Sequence, residues 1–156
     1  MIEDQPVTWA RGRFHITTDR RLIPLADALS LLHETYWAKH LTADSLERAT
    51  RNSVCFAVLE GSTLVGFARA ISDLTTYAYL SDVVIAERYR GQGLGEWLIR
   101  CILEHPDLSG LRRISLLTRD AAEFYVRLGF KHGAGERNYL ELLSPTGRVP
   151  VERQGV

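Results

Sequence analysis

Three glycines at alternate positions, Gly91, Gly93 and Gly95, constrain how this chain folds more than any other feature. They lie where an apolar, β-rich run ending at Ile85 is followed by apolar residues at helical spacing from Leu94. The start of a helix leaves backbone N–H groups without partners and carries a partial positive charge. Glycine lets the backbone turn tightly and lets an anion approach without meeting a Cβ atom. The segment therefore predicts a phosphate- or pyrophosphate-binding turn between a strand and a helix.

The patterns on either side of this turn predict an α/β (α+β) fold, in which helices pack on a mixed, mostly antiparallel sheet. Runs rich in aromatic and β-branched residues indicate strands, and apolar residues three and four apart indicate helices. The predicted strands are Phe14–Thr17 and residues 54–59, 64–71, 75–85, 114–118 and 139–143. The predicted helices follow Pro24 as far as Tyr36, begin at Asp44, run from Leu94 to His105, and run from Asp120 to Leu128. The predicted order is β-α-α-β-β-β-α-β-α-β.

Capping residues indicate where the shorter helices begin and end. Asp44 is followed three residues later by Glu47, as in a capping box, so we expect the second helix to begin at this point. Asp120 is expected to cap the last helix, and Gly129 is expected to end it.

Length and charge limit the classes of function. A chain of 156 residues predicts one domain over residues 1–156. The 19 basic and 19 acidic residues balance, so no net field favours nucleic acid or an anionic membrane. No apolar run reaches the ~20 residues of a membrane span, and the N-terminus lacks a secretory pattern, so we expect a cytoplasmic protein. Cys55 and Cys101 lie in apolar patterns and are expected to be buried free thiols.

Two phosphate-binding patterns do not fit the glycines. A P-loop requires G-x-x-x-x-G-K-[ST]; counted from Gly91, its second glycine falls on Glu96. A dinucleotide fingerprint requires G-x-G-x-x-G, and its third glycine falls on Glu96 or Leu98. A nucleotide or dinucleotide binder is therefore the weaker interpretation of this turn.

A third pattern, [R/Q]-x-x-G-x-[G/A], is filled by Arg90, Gly93 and Gly95. The stretch L-L-T-R-D-A-A-E-F-Y-V-R-L-G-F follows at residues 116–130. In these two segments the chain resembles the GNAT acyltransferase superfamily, which has a pyrophosphate loop of this form and a later F-Y-x-x-L-G-F helix. The resemblance covers about residues 54–143, and the chain looks most like an uncharacterised bacterial branch.

The resemblance implies a GNAT-like sheet and an N-acetyltransferase that uses acetyl-coenzyme A (acetyl-CoA) as co-substrate. It implies that backbone N–H groups of the glycine loop hold the pyrophosphate, and that the preceding strand pairs with the pantetheine arm. Arg88 or Arg90 is expected to reach the 3′-phosphate. The implied coenzyme-binding residues are Val83, Val84, Ile85, Arg90, Gly91, Gln92, Gly93, Leu94, Gly95 and Glu96.

The resemblance also implies catalytic roles. Tyr125 is the expected acid, since a phenol of pKa ~10 suits a thiol leaving group; the alternative for this ring is core packing. A backbone N–H within residues 82–84 is the expected oxyanion donor. Many relatives carry a glutamate on the strand at residues 113–118, and this chain has none there. Asp82 is the candidate base or substrate contact, and Asp73 is the other nearby carboxylate. For the same reason a non-catalytic acetyl-CoA-binding module stays open.

The acceptor is expected to be a small-molecule or peptide amine. Its contacts in the family come mostly from the first two helices and the final strands, which here indicates His33, Tyr36, Trp37 and Tyr79. The five histidines show no metal-ligand spacing, so no metal is expected. Neither nucleic acid nor a membrane is an expected partner, whereas a homodimer would be common in the family.

Overall fold

In the part of the chain that the structure describes, six strands form one sheet whose spatial order follows the chain. They are β1 (Thr8–Arg11), β2 (Phe14–Thr17), β3 (Val54–Glu60), β4 (Thr63–Ser72), β5 (Tyr77–Ile85) and β6 (Arg113–Ser115). Neighbours from β1 to β5 pair antiparallel, and β6 runs parallel to β5. This computed structural model describes residues 5–133, 135 and 138–142. The predicted fold class, a mixed and mostly antiparallel sheet flanked by helices, is confirmed.

Three helices accompany the sheet: α1 (Leu25–His33), α2 (Ala43–Arg51) and α3 (Leu94–Glu104). A buried cluster joins α1 and α2 to the sheet through Leu32, Leu46 and Phe67. Alternation along β3 turns Phe56 to the opposite face, where its ring lies near His105 at the end of α3. The sheet is thus covered on both faces, which fixes the strand register because a one-residue slip would turn every side chain toward the wrong layer.

The first strand was not predicted. β1 pairs with β2 from Thr8↔Thr17 to Arg11↔Phe14, across a turn in which Gly12 has a φ of 58°. Most of its side chains are exposed, so it shows no apolar alternation, and only Trp9 stacks on a core ring, that of Phe56. A short edge strand of this kind is stabilised by backbone pairing that leaves little trace in the sequence.

Two predicted helix starts are wrong. The N-cap of α2 is Thr42, whose hydroxyl accepts the Ser45 N–H at 3.2 Å, so the helix begins before Asp44. The helix that follows β6 has Ala121 at its N-cap without a side-chain hydrogen bond, so Asp120 does not cap it. Thr42 and Asp44 are both cap-type residues, and the local backbone decides which one is used. Alanine has no side-chain acceptor, so the helix after β6 begins without a side-chain cap.

Other boundaries also differ from the prediction. α1 ends at His33 and does not reach Tyr36. The strand predicted at residues 139–143 is wrong over residues 139–142, which lie in no strand and are exposed; Leu143 lies outside the described residues. Over the described residues, the order is therefore β-β-α-α-β-β-β-α-β-α. No helix there is long and apolar enough to cross a membrane.

Contacts between residues divide the chain into two units, Met1–Asp120 and Ala121–Val156. The second unit contains the helix α4 (Ala122–Arg127). This helix ends in a Schellman motif: Phe130 N–H donates to the Tyr125 carbonyl and Gly129 N–H to the Val126 carbonyl, each at 3.1 Å. Gly129 has the positive φ, 98°, that this motif requires. The predicted end at Gly129 is confirmed.

Candidate functional site

The connection between β5 and α3 is the predicted glycine turn. After Ile85 the chain makes one 3₁₀ turn, Glu87–Tyr89, and enters α3 at Leu94. Gly93 is the N-cap residue with φ 78° and ψ 11°, and Gly91 has a φ of 80°. Both conformations are left-handed, which is the region that favours glycine over residues with a Cβ atom.

The turn presents backbone donors to solvent. The first hydrogen bond of α3 runs from Trp97 N–H to the Gly93 carbonyl at 3.0 Å, so the amides of residues 94–96 precede the helical ladder. A Cβ atom at Gly91 would meet nothing within 4 Å, and one at Gly93 would meet only Arg11. This combination of unpaired amides, helix dipole and open space suits a pyrophosphate group.

Side chains of the turn brace it from within. Arg90 Nε donates to the Ile85 carbonyl at 3.0 Å, and Gln92 Nε2 donates to the Tyr89 carbonyl at 3.3 Å. The guanidinium of Arg88 lies over the Tyr89 ring, 4.9 Å from its centroid. Arg90 therefore has a structural role at the end of β5, and the predicted contact of either arginine with the 3′-phosphate stays a prediction.

Arg11 is a candidate that sequence reasoning missed. Its Nη2 and Nη1 lie 3.6 and 3.8 Å from the position of a Cβ atom on Gly93, and its guanidinium is 5.8 Å from the centre of the Trp97 ring. The β1–β2 hairpin thus adds a positive charge to the N-terminal end of α3. No motif in the sequence indicates this residue, because its position depends on the unpredicted strand β1.

One edge of β5 is open next to this turn. β5 pairs with β4 as far as Ile85, but it pairs with β6 only at residues 77–79. On that side, residues 80–85 have no partner strand in the described part of the chain. Val83–Ile85 therefore lie on an unpaired strand edge, which is the arrangement that the pantetheine prediction requires, although the Ile85 carbonyl already accepts from Arg90 Nε.

A β-bulge interrupts β5 within this open segment. The pairs Phe67↔Val84 and Arg69↔Ser81 leave Ala68 opposite two residues, Asp82 and Val83. Asp82 has a φ of 57°, in the left-handed region. The bulge thus lies within the segment where the oxyanion donor was expected.

Asp82 is paired and buried. Arg69 Nε donates to its Oδ2 at 2.6 Å, and the side chains of Arg69 and Asp82 are 11% and 8% exposed. Arg69 also donates to the Ser53 hydroxyl at 2.8 Å. Arg69, like Arg11, carries no sequence signal that marks it. A base role for Asp82 stays a prediction, although the carboxylate already holds a close cationic partner.

Asp73, the other carboxylate considered, closes a turn. It accepts hydrogen bonds from the backbone N–H groups of Thr75, Thr76 and Tyr77 and from the Thr76 hydroxyl. The hydroxyl of Thr76 and these amides hold the pKa of Asp73 well below its usual range. A carboxylate of such low pKa is a weak proton acceptor at neutral pH.

The predicted acceptor residues are only partly brought together. Tyr36 and Trp37 are exposed, with ring centroids 5.0 Å apart, and Arg119 lies 3.7 Å above Tyr36. Arg119 was not predicted. His33 braces the chain after α1, since its Nε2 donates to the Leu41 carbonyl at 2.6 Å, and its contact with the acceptor stays a prediction. Tyr79 lies on β5 opposite Ile71 and is half-buried.

Tyr125 lies on α4, in the second unit. Its side chain is buried, and burial raises the pKa of Tyr125 to about 12. The ring contacts Phe124 at 5.0 Å and Phe130 at 5.6 Å between centroids. This packing gives Tyr125 a structural role in the Schellman motif, and its role as an acid stays a prediction.

Comparison with known proteins identifies the class to which this fold and turn belong. Residues 23–130 match the model of the acetyltransferase (GNAT) family. A Gibberella zeae protein named provisionally as an acetyltransferase is 33% identical over 152 aligned positions, which cover 81% of this chain and 84% of the relative. The chain therefore belongs to the GNAT acetyltransferase family. An uncharacterised N-acetyltransferase of Gracilaria tenuistipitata matches a shorter stretch, 40% identical over 68 residues, or 43% of this chain and 37% of that protein.

Solved structures agree with this family. A GNAT-family protein of Xanthomonas campestris, also a provisionally named acetyltransferase, superposes with a TM-score of 0.81 at 36% identity, covering 87% of this chain and 96% of its own. Glucosamine-6-phosphate N-acetyltransferase from Arabidopsis thaliana superposes with a TM-score of 0.61 at 16% identity, covering 84% and 97%. This second likeness is one of fold alone.

Proposed function

We propose that this protein is an acetyl-CoA-dependent N-acetyltransferase that transfers the acetyl group to a primary amine of an unidentified acceptor. The observation that carries the proposal is the continuity of the open edge of β5 with the left-handed glycine turn at Gly91 and Gly93. A strand edge suits the amide-bearing pantetheine arm, and a helix N-terminus suits the diphosphate that follows it. Family membership supports acetyl transfer in general.

The reaction requires a neutral amine, stabilisation of the carbonyl oxygen and a proton for the departing sulfur. Acetyl-CoA, when bound, supplies an activated thioester. The amine nitrogen forms the new C–N bond, the C–S bond breaks, and one proton leaves the nitrogen while another reaches the thiolate. Amides of residues 91–96 hold the diphosphate, an amide of the β5 bulge stabilises the oxygen, and Tyr125 is the proposed proton donor.

The acceptor site is proposed near Tyr36, Trp37 and Arg119. Aromatic faces and a fixed guanidinium suit an amine that also carries an apolar or anionic group. Small amines, amino acids and peptide amines are the candidate classes.

Four further expectations from the sequence concern the domain, the location, the source and the oligomeric state. We propose one N-acetyltransferase domain over residues 1–156, a cytoplasmic location, a bacterial source and a homodimer. The matched relatives come from fungal, algal, plant and bacterial organisms. Light scattering during gel filtration tests the oligomeric state.

A second candidate, an acetyl-CoA-binding module without activity, is favoured by the state of the carboxylates. Asp82 is paired with Arg69, and Asp73 is held in its turn. Neither carboxylate is therefore available as a general base. An active enzyme would have to bind an amine that is already neutral in solution.

Calorimetric titration with acetyl-CoA tests the binding that both candidates share. At about a hundredfold excess over Kd, binding should stabilise the protein by ~2.7 kcal/mol. Coenzyme A without the acetyl group should bind through the same turn, whereas ATP and NAD should bind much more weakly. A thermal melt unchanged by millimolar acetyl-CoA would contradict the proposal.

Thiol release in the presence of an amine panel separates the enzyme from the module. The enzyme should release free coenzyme A faster with at least one amine and should yield the acetylated product by mass spectrometry. Tight binding of acetyl-CoA with no acceleration by any amine in the panel would favour the module.

A further inference from the structure

We propose that the buried ion pair of Arg69 and Asp82 is a positioning device that holds the β5 bulge, and with it the oxyanion-binding amide, in its active geometry. This inference rests on the proposed acetyl transfer. In this role Asp82 acts by fixing the backbone conformation of the bulge, and Arg69, on the neighbouring strand, acts by holding the carboxylate of Asp82.

The conformation of Asp82 needs an external cause. Its φ of 57° is left-handed, and among the described residues Leu74 is the only other residue besides glycine with a positive φ. The first position of a bulge of this type normally carries glycine, because a Cβ atom is strained there. Aspartate is one of the few residues besides glycine that visit this region, and here its carboxylate is held across the strand pair by Arg69 at 2.6 Å.

The bulge lies where the sheet opens. β5 leaves β6 after Tyr79, and Ala68 of β4 then faces both Asp82 and Val83. A bulge leaves the extra residue outside the ladder and re-aims its backbone groups. A main-chain N–H of residues 82–84 is thereby directed out of the regular pairing, beside the open edge proposed for the pantetheine arm.

Arg69 is itself fixed from the opposite side. Its Nη1 donates to Ser53 Oγ at 2.8 Å, and Ser53 Oγ donates to the Ala49 carbonyl of α2 at 2.8 Å. The guanidinium thus links the end of α2 to the bulge in β5. Arg69 is therefore bonded to Asp82 on one side and to Ser53 on the other. Hydrogen bonds on both sides hold its planar guanidinium in one orientation.

The competing role for Asp82 is that of a general base, and the two roles depend on different parts of the residue. A base needs the carboxylate itself, whereas a positioning residue needs only the left-handed backbone at position 82. Glycine adopts that backbone without a side chain. The double variant Arg69→Met with Asp82→Gly removes both buried charges together, so neither charge is left unpaired, and it keeps the left-handed backbone at position 82 accessible. Ser53 Oγ loses the Arg69 donor but keeps its own bond to the Ala49 carbonyl.

The experiment compares wild type, Asp82→Ala and the double variant with three measurements. Calorimetry gives the Kd of acetyl-CoA, thiol release gives kcat with an amine that the wild type accepts, and difference infrared spectroscopy gives the carbonyl frequency of bound acetyl-CoA labelled with heavy carbon. A polarising oxyanion donor lowers that frequency, and the infrared readout needs no acceptor.

We expect the carbonyl frequency of acetyl-CoA to fall on binding to the wild type and to the double variant. On binding to Asp82→Ala, the frequency should change little. Turnover should fall at least about tenfold in Asp82→Ala, since losing one oxyanion donor outright costs about a hundredfold or more. The double variant should recover most of this turnover. The Kd of acetyl-CoA should stay within about threefold of the wild type in both, because the diphosphate turn is untouched.

Two results would overturn the inference while leaving the proposed function intact. One is a double variant as inactive as Asp82→Ala, which would assign the essential role to the carboxylate. The other is an Asp82→Ala variant with wild-type turnover and frequency shift. If Asp82→Ala does not fold, the folded double variant still decides between the roles. A wild type that neither binds nor cleaves acetyl-CoA would overturn the proposed function, and this inference with it.

Discussion

The guanidinium of Arg11 lies beside Gly93, with Nη2 3.6 Å from the point that a Cβ atom would occupy. The two residues belong to elements far apart in the chain, an edge strand and the N-terminus of α3. A cation and a helix dipole there attract the same anion, so Arg11 is expected to contribute to coenzyme binding.

Replacing Arg11 with glutamine should weaken binding of acetyl-CoA about three- to tenfold, since one exposed cation near a phosphate contributes ~1 kcal/mol. The loss should shrink as salt is added, because the interaction is screened. Calorimetry at two ionic strengths measures both effects. Arg13→Gln is the matched control, since Arg13 lies in the same hairpin but pairs with Glu60 at 3.5 Å. Equal losses in the two variants would exclude a specific role for Arg11.

A negative charge at Gly93 should strongly weaken coenzyme binding with little effect on folding. Aspartate and asparagine have the same shape and are the residues best able to adopt a left-handed N-cap position. A negative charge about 5–6 Å from the diphosphate costs ~2–3 kcal/mol at the effective dielectric of a protein surface. Gly93→Asp should therefore bind acetyl-CoA at least about thirtyfold more weakly than Gly93→Asn, as measured by calorimetry. Similar affinities in the two variants would place the diphosphate elsewhere.

Tyr125→Phe should lower turnover and leave the Kd of acetyl-CoA unchanged if the phenol delivers the proton. General acids contribute about a hundredfold or more. Steady-state kinetics on acetyl-CoA and the best amine give the kcat of each protein. Unchanged turnover would leave Tyr125 only its packing role against Phe130.

The high pKa of Tyr125 also predicts a loss of stability in alkali. Burial raises this pKa from 10.0 to about 12, so the folded state holds the proton more tightly than the unfolded state. The resulting stabilisation is complete below pH ~10 and is lost as pH rises toward 12. By pH ~11 the wild type should lose ~1 kcal/mol that Tyr125→Phe does not lose. Urea denaturation at pH ~8 and ~11 checks this, and parallel losses in both proteins would contradict it.

Both cysteines should be unreactive in the folded protein. Cys55 and Cys101 are buried, as predicted. Burial raises the pKa of the Cys101 thiol to about 12, so at pH ~8 only about one in ten thousand of these groups is thiolate. Reaction with a chromogenic disulfide should be negligible in buffer and should reach two thiols per chain in urea. Fast labelling of the native protein would show that the core opens.

Local patterns were enough to predict the glycine turn, the β3–β4 hairpin and the end of α4. At each of these points a residue type is required by the backbone itself: Gly91 and Gly93 by left-handed dihedral angles, and Gly129 by the Schellman motif. Such requirements involve only a few neighbouring residues, so they can be recognised in the sequence. The cap at Asp44 was wrong because Thr42, two residues earlier, supplies the same kind of side-chain acceptor. The cap at Asp120 was wrong because that helix begins after Ala121 without a side-chain cap.

A strand, a left-handed glycine turn and an amphipathic helix follow one another in a way that can be read from local pattern alone, because backbone strain and helix periodicity are short-range. The surroundings of that turn depend instead on how distant segments pack. Arg11 reaches Gly93 through an edge strand without apolar alternation, and Asp82 acquires its role from Arg69 across a strand pair. Charge pairing and strand register depend on which segments meet in space, and no spacing along the chain specifies that.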